Sequence, residues 1–179
     1  MTHAAQVDTS AVPADDTGKG VPAPISRVMI GVGFLLVVLS YMVNAMDRQV
    51  FPPLLPNIRQ DYGFSLDQGG LLATNFTLGM ALAGLPAGYL LDRFRRKTVL
   101  LVSIVVYSLG TMATPLATGF GDMTLYRVVS GFGEGMQSAA IFAAIGAFFV
   151  HRRGLAFGII GVGYSVGVFI APLIGVQLM

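Results

Sequence analysis

Cysteine is absent from this 179-residue sequence, and charged residues are scarce. The absence of cysteine excludes disulfide bridges and thiolate metal sites within it. Only 11% of the residues are charged while 54% are hydrophobic. This balance is typical of helical membrane proteins and not of globular ones. The formal net charge of +2 is concentrated in short segments, so it does not indicate nucleic-acid binding.

Histidine is also rare, and its two positions disfavour enzymatic functions. His3 and His151 both lie outside the long apolar runs of the chain. No histidine pair is therefore available inside a membrane to bind haem or a metal ion. Those runs also lack a Ser-His or Cys-His pairing for nucleophilic catalysis. The sequence predicts a protein that is not an enzyme, with no cofactor and no metal site.

Five apolar runs are each long enough to cross a bilayer as a helix, which takes about 20 residues. The sequence therefore predicts an all-α membrane protein, a polytopic helical bundle with a transmembrane domain over residues 27–179. Residues 1–26 have no hydrophobic period and are expected to form a disordered cytoplasmic tail. Prolines after residue 51 are expected to end the first helix. The predicted helices cover about residues 28–51, 69–91, 98–118, 123–150 and 155–178.

Basic residues lie mostly on one side of the predicted bundle. Four cations within residues 93–97 separate the second helix from the third, and Arg152 and Arg153 separate the fourth from the fifth. Loops rich in Lys and Arg stay in the cytoplasm, so both turns and the amino terminus are expected there. The short linker also predicts that the second and third helices form an antiparallel hairpin. We expect an integral protein of the plasma (inner) membrane.

Ionisable residues inside predicted membrane helices mark candidate functional sites. Arg127 and Glu134 are seven residues apart on the fourth helix, about two turns, and so share a face. A charge at the centre of a membrane helix costs about 2.5 to 3.5 kcal/mol, so this helix needs polar neighbours. Asp47 and Arg48, near the end of the first helix, are the expected neighbours.

These four residues suit a carrier that moves a small organic anion together with protons. Arginine presents a planar fork that matches a carboxylate, so Arg48 and Arg127 are the predicted substrate-binding residues. Carboxyl groups in a membrane can exchange protons, so Asp47 and Glu134 are the predicted proton-coupling residues. A structural alternative stays open, in which Asp47 pairs with Arg48 at the interface and Arg127 with Glu134 along the helix.

Three further polar residues are candidates for substrate binding in the same cavity. Tyr41 and Asn44 share a helical face with Asp47 and Arg48. Asn75, midway along the second helix, is able to bind substrate or to hydrogen-bond a neighbouring helix. The second role is the more common one for such residues.

The turn between the second and third helices resembles the signature loop of the major facilitator superfamily of secondary transporters. That loop has the pattern Gly-x-Leu-x-Asp-Arg-x-Gly-Arg-Arg/Lys, and Arg95 stands here where the family usually has its second glycine. The resemblance implies a role of the loop in conformational gating, in which Asp92 pairs with groups of the opposite half of the carrier. The residues that carry the motif are Gly88, Leu90, Asp92, Arg93, Arg96 and Lys97.

Small residues on the fourth and fifth helices predict close helix packing. Gly131, Gly133 and Gly135 lie within a predicted membrane span with no strand before them, which disfavours a nucleotide-binding loop. The fifth helix has small residues at every fourth position around Gly167 and Pro172, similar to the superfamily's fifth-helix motif. The resemblance implies a close, bendable contact that serves rocking between inward-open and outward-open states.

Within the superfamily, the sequence is most similar to the anion:cation symporter family. In that family the corresponding arginines bind the substrate anion and the two acids couple protons, which the resemblance implies for this chain. Gly84 departs from the pattern, since many members have glutamine there. Spinster-like lipid transporters share the acidic and basic positions and remain the alternative. The residues that carry the resemblance are Asp47, Arg48, Pro56, Ile58, Arg127, Gly131 and Glu134.

The resemblance covers residues 27–179, whereas members of the superfamily have about twelve helices in two halves of six. We therefore expect an amino-terminal part of a carrier, an incomplete half. Its expected partners are the lipid bilayer, protons, a small organic anion such as a carboxylate or sugar acid, and the remaining transmembrane helices. The alternatives are a spinster-like lysolipid carrier and a non-transporting truncated or accessory membrane protein.

Overall fold

The computed structural model describes residues 26–177, and long α-helices dominate this part of the chain. Each of the five long helices is long and apolar enough to cross a membrane, which confirms the predicted fold class. Short 3-10 turns cover Thr114–Leu116 and Val150–Arg152. The predicted tail lies outside the described residues, except for Ser26, which caps the first helix. The helices are α1 (Arg27–Tyr62), α2 (Leu66–Arg93), α3 (Arg96–Ala113), α4 (Phe120–Phe148) and α5 (Arg153–Gln177).

Helix α1 is longer than the sequence predicts. We expected it to end near residue 51, but it continues to Tyr62, so this prediction was wrong. A proline removes one intrahelical hydrogen bond, and packing against neighbouring helices stabilises the helix despite this loss. Beyond Pro53, Leu55 and Tyr62 pack on an apolar cluster around Leu72 and Met123. The prolines inside α1 are Pro52, Pro53 and Pro56.

The turn between α2 and α3 is as short as predicted. Only Phe94 and Arg95 separate the two helices. Ser65 and Gln68 form a capping box at the start of α2, where each side chain bonds the backbone N–H of the other residue. Away from the turn, α2 and α3 make few contacts with each other, and both pack on α4 instead.

Helix α4 occupies the centre of this packing, and its glycines allow the close approach of two neighbours. A side-chain carbon at Gly131 would clash with the backbone of Phe76 on α2. A side-chain carbon at Gly133 would clash with Tyr107 on α3, at 2.5 Å from its backbone nitrogen. The prediction that these glycines serve helix packing is confirmed.

Helix α5 packs on α1 through its small-residue stripe. Gly167 is buried against the backbone of Met42 and the methyl group of Ala45. Pro172 lies within α5 and does not end it. The stripe therefore forms the close contact that the sequence predicts, while its role in rocking stays a prediction. Helix α1 with α5, and α4 with α2 and α3, thus form two packed groups of helices. The two groups contact each other more sparsely, where α1 and α5 face α4 and where α1 faces α2.

Candidate functional site

An ion pair between Arg48 on α1 and Glu134 on α4 joins these two groups of helices. Arg48 Nη2 donates to Glu134 Oε2 at 2.8 Å, and Arg48 Nε donates to the same oxygen at 3.2 Å. The Glu134 side chain is fully buried, whereas that of Arg48 is 28% exposed. Arg48 Nη1 also donates to the hydroxyl of Tyr164 on α5 at 3.2 Å. Arg48 therefore links three helices.

Asp47 faces a different neighbour from Arg48. The Thr111 hydroxyl on α3 donates to Asp47 Oδ2 at 2.9 Å, and it lies 3.3 Å from the hydroxyl of Ser130 on α4. Successive residues of a helix point about 100° apart, so Asp47 and Arg48 contact different helices. Within residues 26–177, neither the Asp47–Arg48 pair nor the Arg127–Glu134 pair of the structural alternative is formed.

Arg127 lies between two aromatic rings. Its guanidinium carbon is 3.5 Å from the ring centre of Phe51 and 4.9 Å from that of Phe76. The residue is only 5% exposed. In the described part of the chain it forms no ion pair, and its Nε atom has no hydrogen-bond partner. Attraction to each ring contributes about 2 kcal/mol when water is excluded, which offsets part of the cost of burying the charge.

A cavity of about 520 Å³ between α1, α2 and α4 reaches both arginines. Its size falls within the range of about 300 to 1,000 Å³ that is usual for small-molecule sites. Arg48 and Arg127, two of the predicted substrate-binding residues, both line it. The other three predicted substrate-binding residues, Tyr41, Asn44 and Asn75, do not line it.

Asn44 bonds α4 instead. Its Nδ2 donates to Gln137 Oε1 at 3.0 Å, and Gln137 Nε2 donates to the Ser40 hydroxyl at 2.8 Å. Asn44 and Gln137 are fully buried, so this chain of bonds ties α1 to α4 beside the ion pair. The Tyr41 ring packs against Tyr164 with ring centres 5.0 Å apart. Asn44 and Tyr41 thus contact neighbouring helices instead of lining the cavity.

Several residues of this arrangement were not predicted from the sequence. Gln137 follows Glu134 by one helical turn on the same face, and that spacing could have identified it. The hydroxyls of Thr111, Ser130 and Tyr164 carry no comparable signal, because such residues are common in membrane helices. Phe51 and Phe76, whose rings contact Arg127, also carry no such signal, because phenylalanine is common in membrane helices.

The residues of the signature loop lie at the opposite end of α2 from Phe76. Asp92 is 16 residues beyond Phe76, about 24 Å along the helix axis. All of them are exposed, and their gating role stays a prediction. They are Gly88, Asp92, Arg93, Arg96 and Lys97.

Comparison with known proteins places this arrangement in a family. The profile of the Major Facilitator Superfamily matches residues 37–179. The hexuronate transporter of Bacillus subtilis is 32% identical over 143 residues, which cover 79% of this chain and 34% of that protein. Protein spinster of Drosophila melanogaster is 29% identical over 142 residues, which cover 78% of this chain and 24% of that protein.

A solved structure supports the same assignment. The crystal structure of a bacterial homologue of the human lysosomal transporter Spinster, inward-facing and unoccupied, superimposes with a TM-score of 0.78 at 29% identity. The match covers 84% of this chain and 32% of that chain. This chain thus spans between 24% and 34% of the length of these relatives. Its five membrane-length helices make it an integral membrane protein. The chain belongs to the Major Facilitator Superfamily.

Proposed function

We propose that this chain is part of a secondary transporter that carries a small organic anion together with protons. The observation that carries the proposal is the buried Arg127 guanidinium. It has no carboxylate within ion-pairing distance among residues 26–177, whereas Arg48 beside the same cavity is paired with Glu134. A buried charge without a partner is costly, and a substrate carboxylate would balance it through the planar donor fork of arginine.

Protons enter the proposal through Glu134 and Asp47. Glu134 uses Oε2 for Arg48, and its Oε1 is buried without a hydrogen-bond partner in the described chain. Proton uptake at Glu134 would remove the charge that holds Arg48 and would free this guanidinium for the substrate. Asp47, bonded to Thr111, is the second proposed proton site. A cycle of this kind couples the anion to protons because each changes the affinity for the other.

Alternating access would follow from rocking of the two halves of the carrier, and the small-residue contact between α5 and α1 would serve as a close, bendable contact in that motion. We place this chain in the plasma membrane. Its amino terminus and its α2–α3 turn would lie on the cytoplasmic side, because the basic residues are concentrated in the loops of that side. The remaining transmembrane helices of the carrier would complete the cavity and supply the partners of Asp92.

Uptake into proteoliposomes tests the proposal. The full-length protein is reconstituted with a more acidic exterior, and uptake of a panel of radiolabelled carboxylates is measured against protein-free liposomes. Arg127→Gln is expected to reduce uptake at least tenfold, because the buried donor fork is lost. Arg152→Gln, at an exposed position of the α4–α5 turn, is the matched control and keeps uptake. Unchanged uptake of every carboxylate by Arg127→Gln would contradict the proposal.

A second candidate is a lysolipid carrier, and the superposition on the Spinster homologue favours it. The same proteoliposomes distinguish the two candidates. Transport of a fluorescent lysophospholipid, with no uptake of small carboxylates, would support the lipid carrier. Absence of transport of either class would support the third alternative, an accessory or non-transporting membrane protein.

A further inference from the structure

The wall of the cavity beside Arg127 has few groups for hydrogen bonding apart from its two arginines. The neutral polar side chains that line it are Gln49 and Thr77. Gln49 belongs to α1 and Thr77 to α2. The apolar lining residues are Phe51, Pro52, Ala73, Phe76, Met80 and Ala81.

The Phe76 ring lies next to both cations. Its centre is 4.9 Å from the Arg127 guanidinium carbon and 5.8 Å from that of Arg48. Phe76 is 4% exposed, so its position is fixed by packing. A substrate carboxylate that binds the Arg127 guanidinium from the cavity therefore has an aromatic and aliphatic wall beside the rest of its body.

Two classes of carboxylate are expected to differ in their free energy of binding beside this wall. A sugar acid has several hydroxyl groups, and each one that this wall buries without a partner costs about 1 to 3 kcal/mol. An aromatic carboxylate has no such groups, and stacking or edge contact with a phenyl ring contributes about 0.5 to 1.5 kcal/mol. Both carry the same single negative charge, so the difference comes from the body of the molecule.

We propose that the part of the site built by α1, α2 and α4 favours flat, apolar monocarboxylates, such as aromatic carboxylates, over polyhydroxylated sugar acids. The carboxylate binds at Arg127, and the apolar body packs against Phe76 and Met80. The inference rests on the proposed function, since it requires that Arg127 binds the substrate anion. It differs from the substrate class named for the hexuronate transporter, which is a sugar acid.

Isothermal titration calorimetry tests this preference. The full-length protein in detergent is titrated with sodium benzoate and, separately, with sodium D-glucuronate at the same pH and ionic strength. Benzoate is expected to bind at least tenfold more tightly. Phe76→Leu, which removes the ring and keeps an apolar side chain, is expected to weaken benzoate binding at least threefold and to change glucuronate binding less than twofold. Phe169→Leu, at an exposed position of α5, is the matched control.

The outcomes distinguish a failure of this inference from a failure of the proposed function. Glucuronate that binds as tightly as benzoate, or more tightly, overturns the inference and leaves the organic-anion transporter standing. Binding of neither carboxylate overturns the inference, and the uptake panel then decides the proposed function separately. The comparison of the two ligands uses the unmodified protein, so a folding defect in Phe76→Leu does not prevent a decision.

Discussion

The glycines of α4 allow a prediction in which one substitution has opposite effects at two positions of the same helix. At Gly131 an added side-chain carbon would meet the backbone carbonyl of Phe76, and it would lie 3.3 Å from the backbone nitrogen of Met80. These are backbone atoms of α2, so the clash is relieved only if α2 moves away. At Gly146 an added carbon has no neighbour within 4 Å.

Alanine favours a helix over glycine by about 1 kcal/mol at either position. Gly146→Ala is therefore expected to stabilise the protein by up to about 1 kcal/mol. Gly131→Ala gains the same propensity but also carries the cost of overpacking, about 1 to 3 kcal/mol. The difference between the two variants isolates this packing cost. It corresponds to a melting temperature of Gly131→Ala several degrees below that of Gly146→Ala, at about 2 to 4 °C per kcal/mol.

The assay follows the fraction of monodisperse protein that remains after heating in detergent, by gel filtration of a fluorescent fusion. Intrinsic tryptophan fluorescence is not used, because this sequence has no tryptophan. Gly131→Ala is also expected to weaken substrate binding, because a shift of α2 moves Phe76 away from Arg127. Equal melting temperatures of the two alanine variants would refute the close contact between α4 and α2.

Three further predictions concern the charges and the topology. Glu134→Gln keeps the shape of the side chain but cannot release a proton, so uptake driven by a pH gradient is expected to fall at least tenfold while exchange of substrate persists. Accumulation of substrate that the variant retains would exclude Glu134 as the proton site. Thr111→Val removes the hydroxyl that bonds Asp47, so the pH at half-maximal uptake is expected to shift, and an unchanged pH profile would separate Thr111 from coupling. The sequence has no cysteine, so the variants Arg95→Cys and Leu116→Cys report topology by their reaction with a membrane-impermeant maleimide. Only Leu116→Cys is expected to react in intact cells, and reaction of Arg95→Cys alone would contradict the predicted topology.

Much of the fold could be predicted from the sequence because membrane helices are defined locally, by the length of an apolar run. The end of α1 could not. The segment 52–62 contains prolines and charged residues, and it is helical because it packs on Leu72 and Met123, which are distant in sequence. Beyond their turn, α2 and α3 separate because each packs on α4, and this packing depends on the glycines of α4.

The four charged residues of the site could be predicted because ionisable groups stand out in apolar helices. The neighbourhood of Asp47 and Arg48 to the charges of α4 was also predicted, but the individual pairings could not be, since these depend on how each helix is rotated about its axis. Glu134 bonds Arg48 instead of Arg127, and Arg127 contacts aromatic rings instead of an acid. Asn44 has the spacing of a cavity residue, yet it is used to join α1 to α4.

Proton movement driven by substrate tests the central claim most directly. The full-length protein is reconstituted in liposomes that contain a pH-sensitive dye, with equal pH on both sides, and a carboxylate gradient is applied. The account predicts acidification of the interior beyond that of protein-free liposomes, and its loss in Arg127→Gln and Glu134→Gln. Carboxylate entry without acidification, or acidification that both variants retain, would contradict a proton-coupled anion carrier built on these residues.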